Sequence, residues 1–269
     1  MRGSLGEKIG EGAFSDVHAW APGQVVKLFK AGVPQRLSRH EAQVTRAVFA
    51  AGAPAPEVHD EVTLDGRFGI VMSRFDGPTL LQLSRSGAMS PAETGAILAS
   101  LYMSVHKTPP PPDVLVLRDW LAALQISGGS VPHHITTGIL ALIERLRPGD
   151  GLCHGDLHPG NVIMTANGPR LVDWTGAVRA SAAFDLACGH VCLIELAPEF
   201  IDDPQRPRAY NAAAQSEYAR LVGTSQAALT AAMESYLPIA CVIHLLWGAQ
   251  GALRERLIQR IEAALRSES

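Results

Sequence analysis

Apolar and polar positions alternate over short stretches in the first quarter of the chain. Apolar runs between residues 5 and 75 are broken by turns such as Pro22-Gly23 and Asp65-Gly66, a pattern that is typical of antiparallel strands. One longer stretch, residues 34–51, instead carries apolar side chains at helical spacing. The pattern therefore predicts a small antiparallel sheet of five strands with one helix.

Beyond residue 75 the pattern becomes helical. Phe75-Asp76-Gly77-Pro78 ends the strand pattern and predicts a hinge. Ser90-Pro91-Ala92-Glu93 is a capping box with proline at the first helical position, and it predicts a helix that ends near His106. Further helices are expected at 114–126, 133–146, 207–222 and 226–267. The chain is thus predicted to be α+β and bilobal, with an N-lobe at residues 1–74 and a larger, mainly helical C-lobe at residues 75–269.

Composition and charge narrow the class of protein. A chain of 269 residues that is 47% hydrophobic can bury a substantial core. The formal net charge is −3 and no segment carries a run of Lys or Arg, which argues against nucleic acid as a partner. We find no apolar N-terminal signal region and no uncharged apolar stretch of about 18 residues. We therefore expect a cytoplasmic protein that does not span a membrane; no oligomeric state follows from these properties.

The four cysteines are too few for a disulfide scaffold in a chain of this length. Cys188 and Cys192 fall one helical turn apart in an apolar run, which favours buried thiols in a reducing compartment. Cys188, His190 and Cys192 could alternatively hold zinc, but the spacing places His190 on a different face of the helix.

A pattern suited to phosphate binding stands near the N-terminus. Gly10 and Gly12 fall in a predicted hairpin, where they let the backbone approach a polyphosphate closely, and Ser15 adds a hydroxyl and an amide donor. Lys27 lies in the following apolar strand, where an ammonium group needs an anionic partner such as a phosphate. Lys30 is the alternative, but its place at the end of the strand favours a solvated position.

Glu41 lies within the apolar stripe of the helix predicted at 34–51 and is expected to face inward. A buried carboxylate needs a countercharge, and Lys27 on the preceding strand is the natural partner. Alternatively, Glu41 points to water beside Arg39 or Arg46.

The most specific chemical pattern is HGDLHPGN at residues 154–161, followed by an apolar run that leads to Asp173. A carboxylate at Asp156, an amide at Asn161 and a second carboxylate at Asp173 have the order of a phosphoryl-transfer catalytic loop. Phosphoryl transfer needs a group that orients the attacking hydroxyl and oxygen ligands that hold Mg²⁺ against the phosphates. The structural alternative is a tight turn before a hairpin, in which the polar side chains only cap the backbone.

The Gly-rich hairpin, Lys27, Glu41, HGDLHPGN and Asp173 together resemble the aminoglycoside phosphotransferase and choline kinase family of protein-kinase-like enzymes, over most of the chain. The resemblance implies a protein-kinase-like bilobal fold, ATP or GTP as the phosphate donor, and Mg²⁺. It also implies that Asp156 is the catalytic base and that Asn161 and Asp173 bind Mg²⁺. Lys27 would hold the α- and β-phosphates, and Glu41 would orient Lys27.

The same resemblance implies further site residues. Backbone groups of Met72, Ser73 and Arg74 are expected to read adenine or guanine at the hinge. Asp185, near a helix start, is expected either to brace the catalytic loop through its backbone amides or to favour the helix N-terminus. The supporting residues are His154, His158 and Asp185.

Two departures from protein kinases bear on the acceptor. His158 stands two residues after the base, where protein kinases usually carry Lys, and Asp173 is followed by Trp174. Only 11 residues separate Asp173 from Asp185, so we predict no activation segment that docks a peptide. The expected acceptor is a hydroxyl of a small molecule. The alternatives are a kinase-like enzyme that acts on a protein or lipid head group, and a catalytically inactive nucleotide-binding protein.

An acidic segment follows the catalytic loop. Glu195, Glu199, Asp202 and Asp203 fall within nine residues. Such a segment could attract a cationic acceptor such as an aminoglycoside, an amino sugar or choline. A solvated acidic loop is the alternative.

Overall fold

A five-stranded antiparallel sheet forms the first lobe of the computed structural model, which describes residues 5–128, 131–146, 149–199 and 203–267. The order of the strands is β1-β2-β3-β5-β4. The strands are β1 (Lys8–Glu11), β2 (Ser15–Ala19), β3 (Gln24–Phe29), β4 (Val58–Leu64) and β5 (Arg67–Ser73). The central strand β3 has neighbours on both sides and is almost entirely buried, which explains its apolar sequence QVVKLF.

One helix, α1 (Gln35–Ala50), connects β3 to β4 and contacts β4 and β5. Its apolar stripe buries Ala42, Val44 and Val48, and Glu41 is buried with them. The five strands and the single helix predicted for this lobe are therefore confirmed.

The second lobe is mainly helical. Its helices are α2 (Leu80–Ser86), α3 (Pro91–Lys107), α4 (Leu117–Gly128), α5 (His133–Arg145), α6 (Ala182–Val191), α7 (Gln205–Val222), α8 (Gln226–Glu234), α9 (Leu237–Leu246) and α10 (Gly251–Ser267). Two short antiparallel pairs lie among them, β6 (Gly151–Cys153) with β9 (Val178–Ala180) and β7 (Val162–Thr165) with β8 (Gly168–Leu171). The α+β bilobal architecture predicted from the sequence is confirmed.

The predicted hinge at 75–78 is a packed connection between the lobes. Gly77 has a φ angle of 149°, and a Cβ atom there would lie 2.0 Å from the carbonyl oxygen of Met164. Only glycine fits such a position. The amide of Met164 donates to the carbonyl oxygen of Pro78 at 2.9 Å. The connection therefore ties the sheet lobe to β7.

The structure differs from the predicted helices in detail. Helix α2 was not predicted from the sequence, although Thr79 and Gln82 form a capping box at its start. The stretch at 226–267 divides into the three helices α8, α9 and α10. Helix α6 continues as a π-helix at Cys192–Leu196 and a 3-10 turn at Ala197–Glu199.

No single helix among the described residues is long and apolar enough to cross a membrane. Helices α8 and α9 meet that test only as a pair, and the pair is bent by 50°.

Candidate active site

The HGDLHPGN segment forms the loop between β6 and β7. Gly155 has a φ angle of 80°, and a Cβ atom there would lie 2.1 Å from the carbonyl oxygen of Gly176, so the loop requires glycine at this position. The loop ends in a 3-10 turn at Pro159–Asn161. This turn brings the Nδ2 atom of Asn161 to 2.9 Å from the backbone oxygen of Asp156 and 3.3 Å from its Oδ2 atom. Asp156 and Asn161 are therefore in direct contact.

Asp173 lies beside this loop. The amide of Val172 donates to the backbone oxygen of Asn161 at 3.0 Å, which holds the following residue next to the loop. Because Nδ2 of Asn161 donates to Asp156, Oδ1 is the side-chain atom left to serve as a ligand. Carboxylate and amide oxygens are the ligands that Mg²⁺ accepts in proteins. Asn161 and Asp173 thus fit a magnesium site.

Lys27 joins the sheet lobe to Asp173. Its Nζ atom lies 2.6 Å from Oε1 of Glu41 and 3.1 Å from Oδ1 of Asp173. The predicted ion pair with Glu41 is confirmed, and the alternative with Glu41 in water is wrong because this residue is only 2% exposed. Burial alone would lower the pKa of Lys27, but the carboxylates of Asp173 and Glu41 outweigh burial and raise it. Lys27 is thus held as a cation between two carboxylates.

The alternative lysine lies elsewhere. Nζ of Lys30 is 3.7 Å from Glu11 at the end of β1, and its side chain is 39% exposed. Arg46, the alternative partner of Glu41, pairs with Glu61 at 2.8 Å. The geometry therefore favours Lys27 over Lys30 as the lysine of the site.

Asp156 and Asp173 have different proton affinities. Burial raises the pKa of Asp156 well above its usual range, the charge of Asp173 raises it further, and the hydrogen bond from Asn161 opposes both. Burial acts in the same direction on Asp173, but Lys27 and the Thr175 hydroxyl, 2.8 Å away, lower the pKa of Asp173 to about 2. Asp173 is therefore ionised throughout the neutral range, as a metal ligand requires, whereas Asp156 binds a proton more tightly than Asp173 does.

The Gly-rich hairpin joins β1 and β2. The amide of Gly12 donates to the backbone oxygen of Ser15 at 2.8 Å. A Cβ atom at Gly10 or Gly12 would have no neighbour closer than 3.5 Å, and neither residue has a positive φ angle. The fold itself does not demand glycine at these two positions. Ser15 is only 4% exposed and begins β2.

The structure restricts the expected base-reading segment, since two of its amides are already hydrogen-bonded. The amide of Ser73 donates to the backbone oxygen of Glu57 at 2.9 Å, and that of Arg74 donates to Gly23 at 2.8 Å. Met72 lies inside β5, between Val25 and Val58. The amides of Ser73 and Arg74 are thus used within the sheet lobe and are not available to a nucleobase.

Asp185 accepts hydrogen bonds from backbone amides of the catalytic loop. This favours the expected bracing role over the alternative that Asp185 only stabilises the helix N-terminus. Its Oδ2 atom accepts from the amide of His154 at 3.0 Å, and its Oδ1 atom accepts from the amide of Gly155 at 2.8 Å. His106 on α3 lies 3.0 Å from Oδ2, and Tyr218 on α7 lies 2.7 Å from the other ring nitrogen of His106. Burial would raise the pKa of Asp185, but His106 and the loop contacts lower it.

Tyr102 supports the loop on the other side of Asp156. Its hydroxyl donates to the backbone oxygen of Leu157 at 3.1 Å, and the side chain is 3% exposed. Gly189 on α6 makes room for this hydroxyl, since a Cβ atom there would lie 2.0 Å from it. Tyr102 and His106 were not predicted from the sequence. The available signal was their four-residue spacing as polar groups on the buried side of α3.

The two histidines of the loop take different positions. His154 is fully buried, its Nε2 atom lies 3.2 Å from the backbone oxygen of Val172, and its Nδ1 atom accepts from the amide of Asp156 at 3.3 Å. Burial lowers the pKa of His154. The side chain of His158 is partly exposed, and its Nε2 atom lies 3.8 Å from Oδ2 of Asp156.

The acidic segment is largely neutralised. Glu195 pairs with Arg260, and Glu199 pairs with Arg256 at 2.6 Å. Asp203 accepts from the amide of Gln205 at 3.0 Å at the start of α7. Asp202 lies outside the described residues.

The alternative zinc set does not assemble. Among the described residues, Cys188, His190 and Cys192 do not bring three ligand atoms together, and Nδ1 of His190 contacts Asn211 at 3.1 Å instead. The thiols are free, and Cys192 is only partly buried. Burial raises the pKa of both thiols, which keeps them protonated.

The region after Asp173 contains no extended activation segment. An Ala197-Pro198-Glu199 tripeptide, which closes that segment in protein kinases, occurs in this chain. In this chain, however, the tripeptide follows Asp185. The residues that separate the tripeptide from Asp173 form β9, the largely buried helix α6 and the π-helix. No peptide-docking loop exists among these residues.

Comparison with known proteins gives one family match and many structural matches. The model of the phosphotransferase enzyme family matches residues 12–223. No curated protein matches the chain.

Several solved structures share the fold at low sequence identity. A GDP and kanamycin complex of APH(2")-IIia is 16% identical and covers 98% of this chain and 92% of its own, with a TM-score of 0.55. A streptomycin-ATP ternary complex of APH(2")-IIa is 14% identical over 98% and 92%, with a TM-score of 0.56. The aminoglycoside phosphotransferase APH(3'')-Id from Streptomyces rimosus ATCC10970 is 19% identical over 86% and 92%, with a TM-score of 0.55.

Proposed function

The chain belongs to the phosphotransferase enzyme family, whose model covers residues 12–223, and on that premise we propose that it transfers the γ-phosphate of ATP or GTP to a hydroxyl of a small molecule. Asp156 acts as the base, and Asn161 and Asp173 hold Mg²⁺. Residues 1–74 bind the nucleotide phosphates, and residues 75–269 supply the catalytic loop, the metal ligands and the acceptor site.

The observation that carries this proposal is the pair of contacts made by Asn161. Its side-chain amide donates to Asp156 at 2.9 Å, and its backbone oxygen accepts from Val172 at 3.0 Å. One residue thereby fixes the base and the approach to the second metal ligand, Asp173. The Val172 contact continues the β7–β8 ladder, in which Val162 pairs with Leu171, and any hairpin would make it. The contact that distinguishes the site from a turn that only caps its own backbone is the one from Nδ2 of Asn161 to the carboxylate of Asp156, at 3.3 Å.

The contacts of Lys27 support the nucleotide assignment. An ammonium group held by Glu41 and Asp173 stands at the point where the sheet lobe meets the metal ligands. Gly10 and Gly12 fit the same assignment, since the missing side chains in the hairpin between β1 and β2 let a polyphosphate approach the backbone closely. The complexes of similar structures with GDP and with ATP support a nucleotide, without choosing the base.

Each residue has a separate task in the transfer. Bound Mg²⁺ would neutralise charge on the phosphates. Lys27 orients the phosphates, and Glu41 keeps Lys27 in place. Asp156 orients the acceptor hydroxyl and receives its proton. Asp185 and Tyr102 hold the backbone on both sides of Asp156, so that the carboxylate is positioned before substrate arrives.

For the acceptor, the kanamycin and streptomycin complexes of similar structures support an amine-bearing compound such as an aminoglycoside, an amino sugar or a choline-like alcohol. The acidic segment does not add support, because Glu195 and Glu199 are already paired with arginines. A protein acceptor is disfavoured by the helical segment after Asp173. An inactive nucleotide-binding protein is disfavoured because Lys27, Asp156 and Asp173 are all present and assembled.

The first test is acceptor-dependent release of ADP or GDP with aminoglycosides, amino sugars, choline, homoserine and simple sugars. Asp156→Asn keeps the shape of the side chain but cannot take the proton, so kcat should fall by roughly 10²- to 10⁴-fold while Mg²⁺-dependent nucleotide binding persists. Asp173→Asn should weaken that binding itself, because it removes charge from the metal site.

Asp150→Asn is a matched control, since Asp150 is exposed and pairs only with Arg179 in the described structure. Calorimetry measures nucleotide binding, and steady-state rates measure turnover. Wild-type turnover by Asp156→Asn, or normal binding and turnover by Asp173→Asn, would show that the loop is a structural turn.

A further inference from the structure

His158 is held in one orientation by the turn that follows it. The amide of Gly160 donates to Nδ1 of His158 at 3.1 Å. A Cβ atom at Gly160 would lie 2.8 Å from Cε1 of the ring, so a larger residue would push the imidazole off this amide. A ring nitrogen that accepts a hydrogen bond carries no proton, and the neutral imidazole must therefore carry its proton on Nε2.

Nε2 is the ring nitrogen that lies near the carboxylate of Asp156. Nε2 lies 3.8 Å from Oδ2, which is too far for a direct hydrogen bond. An oxygen atom about 2.8 Å from both atoms fits between them, and that is the usual hydrogen-bond distance. The side chains of His158 and Asp156 are 27% and 24% exposed, so a ligand can reach this position.

A hydroxyl group matches both neighbours. Its hydrogen can be donated to a carboxylate while a lone pair accepts from an N–H donor. Water or a substrate alcohol has this chemistry, whereas a phosphate oxygen has only acceptor capacity and would be repelled by Asp156.

We propose that His158 is a catalytic residue that donates its Nε2–H to the oxygen of the acceptor hydroxyl and so turns the hydroxyl proton towards Asp156. This inference rests on the proposed phosphotransferase function. In the transfer, the acceptor oxygen forms a bond to the γ-phosphorus, the bond from the γ-phosphorus to the bridging oxygen breaks, and that oxygen leaves with the electron pair. The hydroxyl proton goes to Asp156, and His158 keeps its own proton throughout.

Two other uses of His158 are disfavoured. Burial lowers the pKa of His158 to about 4, and the nearby His154 lowers it against the opposing charge of Asp173, so the ring is neutral at neutral pH and is no general acid. Asp156, His158 and Cys192 do place oxygen, nitrogen and sulfur atoms within 4.8 Å of one another. A metal at Nε2 would require the proton on Nδ1, however, where it would face the N–H of Gly160.

The test compares His158→Phe, His158→Ala and His158→Gln with the intact protein and its best acceptor. Phe keeps the ring volume without the donor, and we expect kcat/KM for the acceptor to fall roughly tenfold to a hundredfold, the range for loss of one orienting hydrogen bond. Gln places an amide N–H near the position of Nε2 and should recover most of the activity. Kd for the nucleotide with Mg²⁺ should stay within twofold. His134→Ala, which affects an exposed residue paired with Glu262, serves as the control.

The outcomes are distinct. If the wild type phosphorylates no acceptor, the proposed function fails. If it does and His158→Phe and His158→Ala keep kcat/KM for the acceptor within twofold, only the role of His158 fails. If the donor-free variants also raise Kd for the nucleotide, the ring contacts phosphate and the inference is overturned. A shift of the acidic limb of the kcat profile against pH in His158→Gln would overturn it as well. Should one donor-free variant not fold, as judged by its Tm, the other carries the test.

Discussion

The contact between Gly189 and Tyr102 gives a sharp test of how the loop is held. A Cβ atom at Gly189 would lie 2.0 Å from the Tyr102 hydroxyl, 3.3 Å from Cζ of its ring and 3.2 Å from the backbone oxygen of Leu157. Gly189→Ala therefore cannot coexist with the 3.1 Å hydrogen bond from Tyr102 to Leu157. The clash is with a hydroxyl that a second substitution can remove.

The magnitudes follow from these distances. Overpacking a buried site costs about 1–3 kcal/mol, and leaving the oxygen of Leu157 without its donor costs about 1–3 kcal/mol more. Ala in place of Gly within a helix returns up to about 1 kcal/mol. Gly189→Ala should thus lower the free energy of unfolding by about 1–6 kcal/mol, and each kcal/mol lowers Tm by about 2–4 °C in a chain of this size.

The double variant separates the clash from other effects. Tyr102→Phe loses the hydrogen bond but removes the clashing oxygen, so that the new methyl group meets nothing closer than 3.2 Å. Adding Gly189→Ala to Tyr102→Phe should therefore cost at least about 1 kcal/mol less than adding it to the wild type. Denaturant unfolding measures the free energy of unfolding of the wild type, the two single variants and the double variant. Additivity within about 0.5 kcal/mol would refute the contact.

Two further predictions follow. Lys27→Ala and Glu41→Ala should each lower kcat steeply without unfolding the chain, since we propose that this ion pair orients the phosphates; rates within a few-fold of wild type would show that the nucleotide assignment of the N-lobe is wrong. Burial, with a smaller effect of His158, lowers the pKa of His244 from 6.5 to about 4, so unfolding releases a histidine that takes up a proton between these values. Stability should fall by up to about 3 kcal/mol as pH drops from 6.5 to 4, and urea titrations at several pH values should show a smaller loss for His244→Gln; an equal loss would contradict this.

The sequence predicts those features that local patterns encode. Strand alternation, the helical stripe that carries Glu41 and the capping box at Ser90 each occupy a few neighbouring residues, and all three appear in the structure. The order of Asp156, Asn161 and Asp173 was equally visible, because loop chemistry fixes their spacing. Helix α2 was missed because it has only seven residues, too few for a periodic pattern.

Supports from distant parts of the chain could not be predicted in this way. The partner of Tyr102 is 55 residues away, and that of His106 is 79 residues away. The resemblance implied that backbone groups of Ser73 and Arg74 read a nucleobase, and nothing in the local sequence shows that their amides are already used. Their acceptors come from the turn before β3 and the segment before β4, so only the folded sheet lobe reveals that they are used.

The acidic segment shows why a local cluster of charge is poor evidence for a cationic ligand. Glu195 and Glu199 lie four residues apart after α6, and Arg260 and Arg256 lie four residues apart on α10, so the two pairs form a ladder between two helical segments. Partly exposed ion pairs of this kind contribute about 0–1 kcal/mol each. An incoming amine would break one such pair to make another, and the net gain is close to zero. Selection of the acceptor therefore falls to groups near Asp156, and His158, whose Nε2 atom lies 3.8 Å from Oδ2 of Asp156, is the residue that we propose to contact the acceptor hydroxyl.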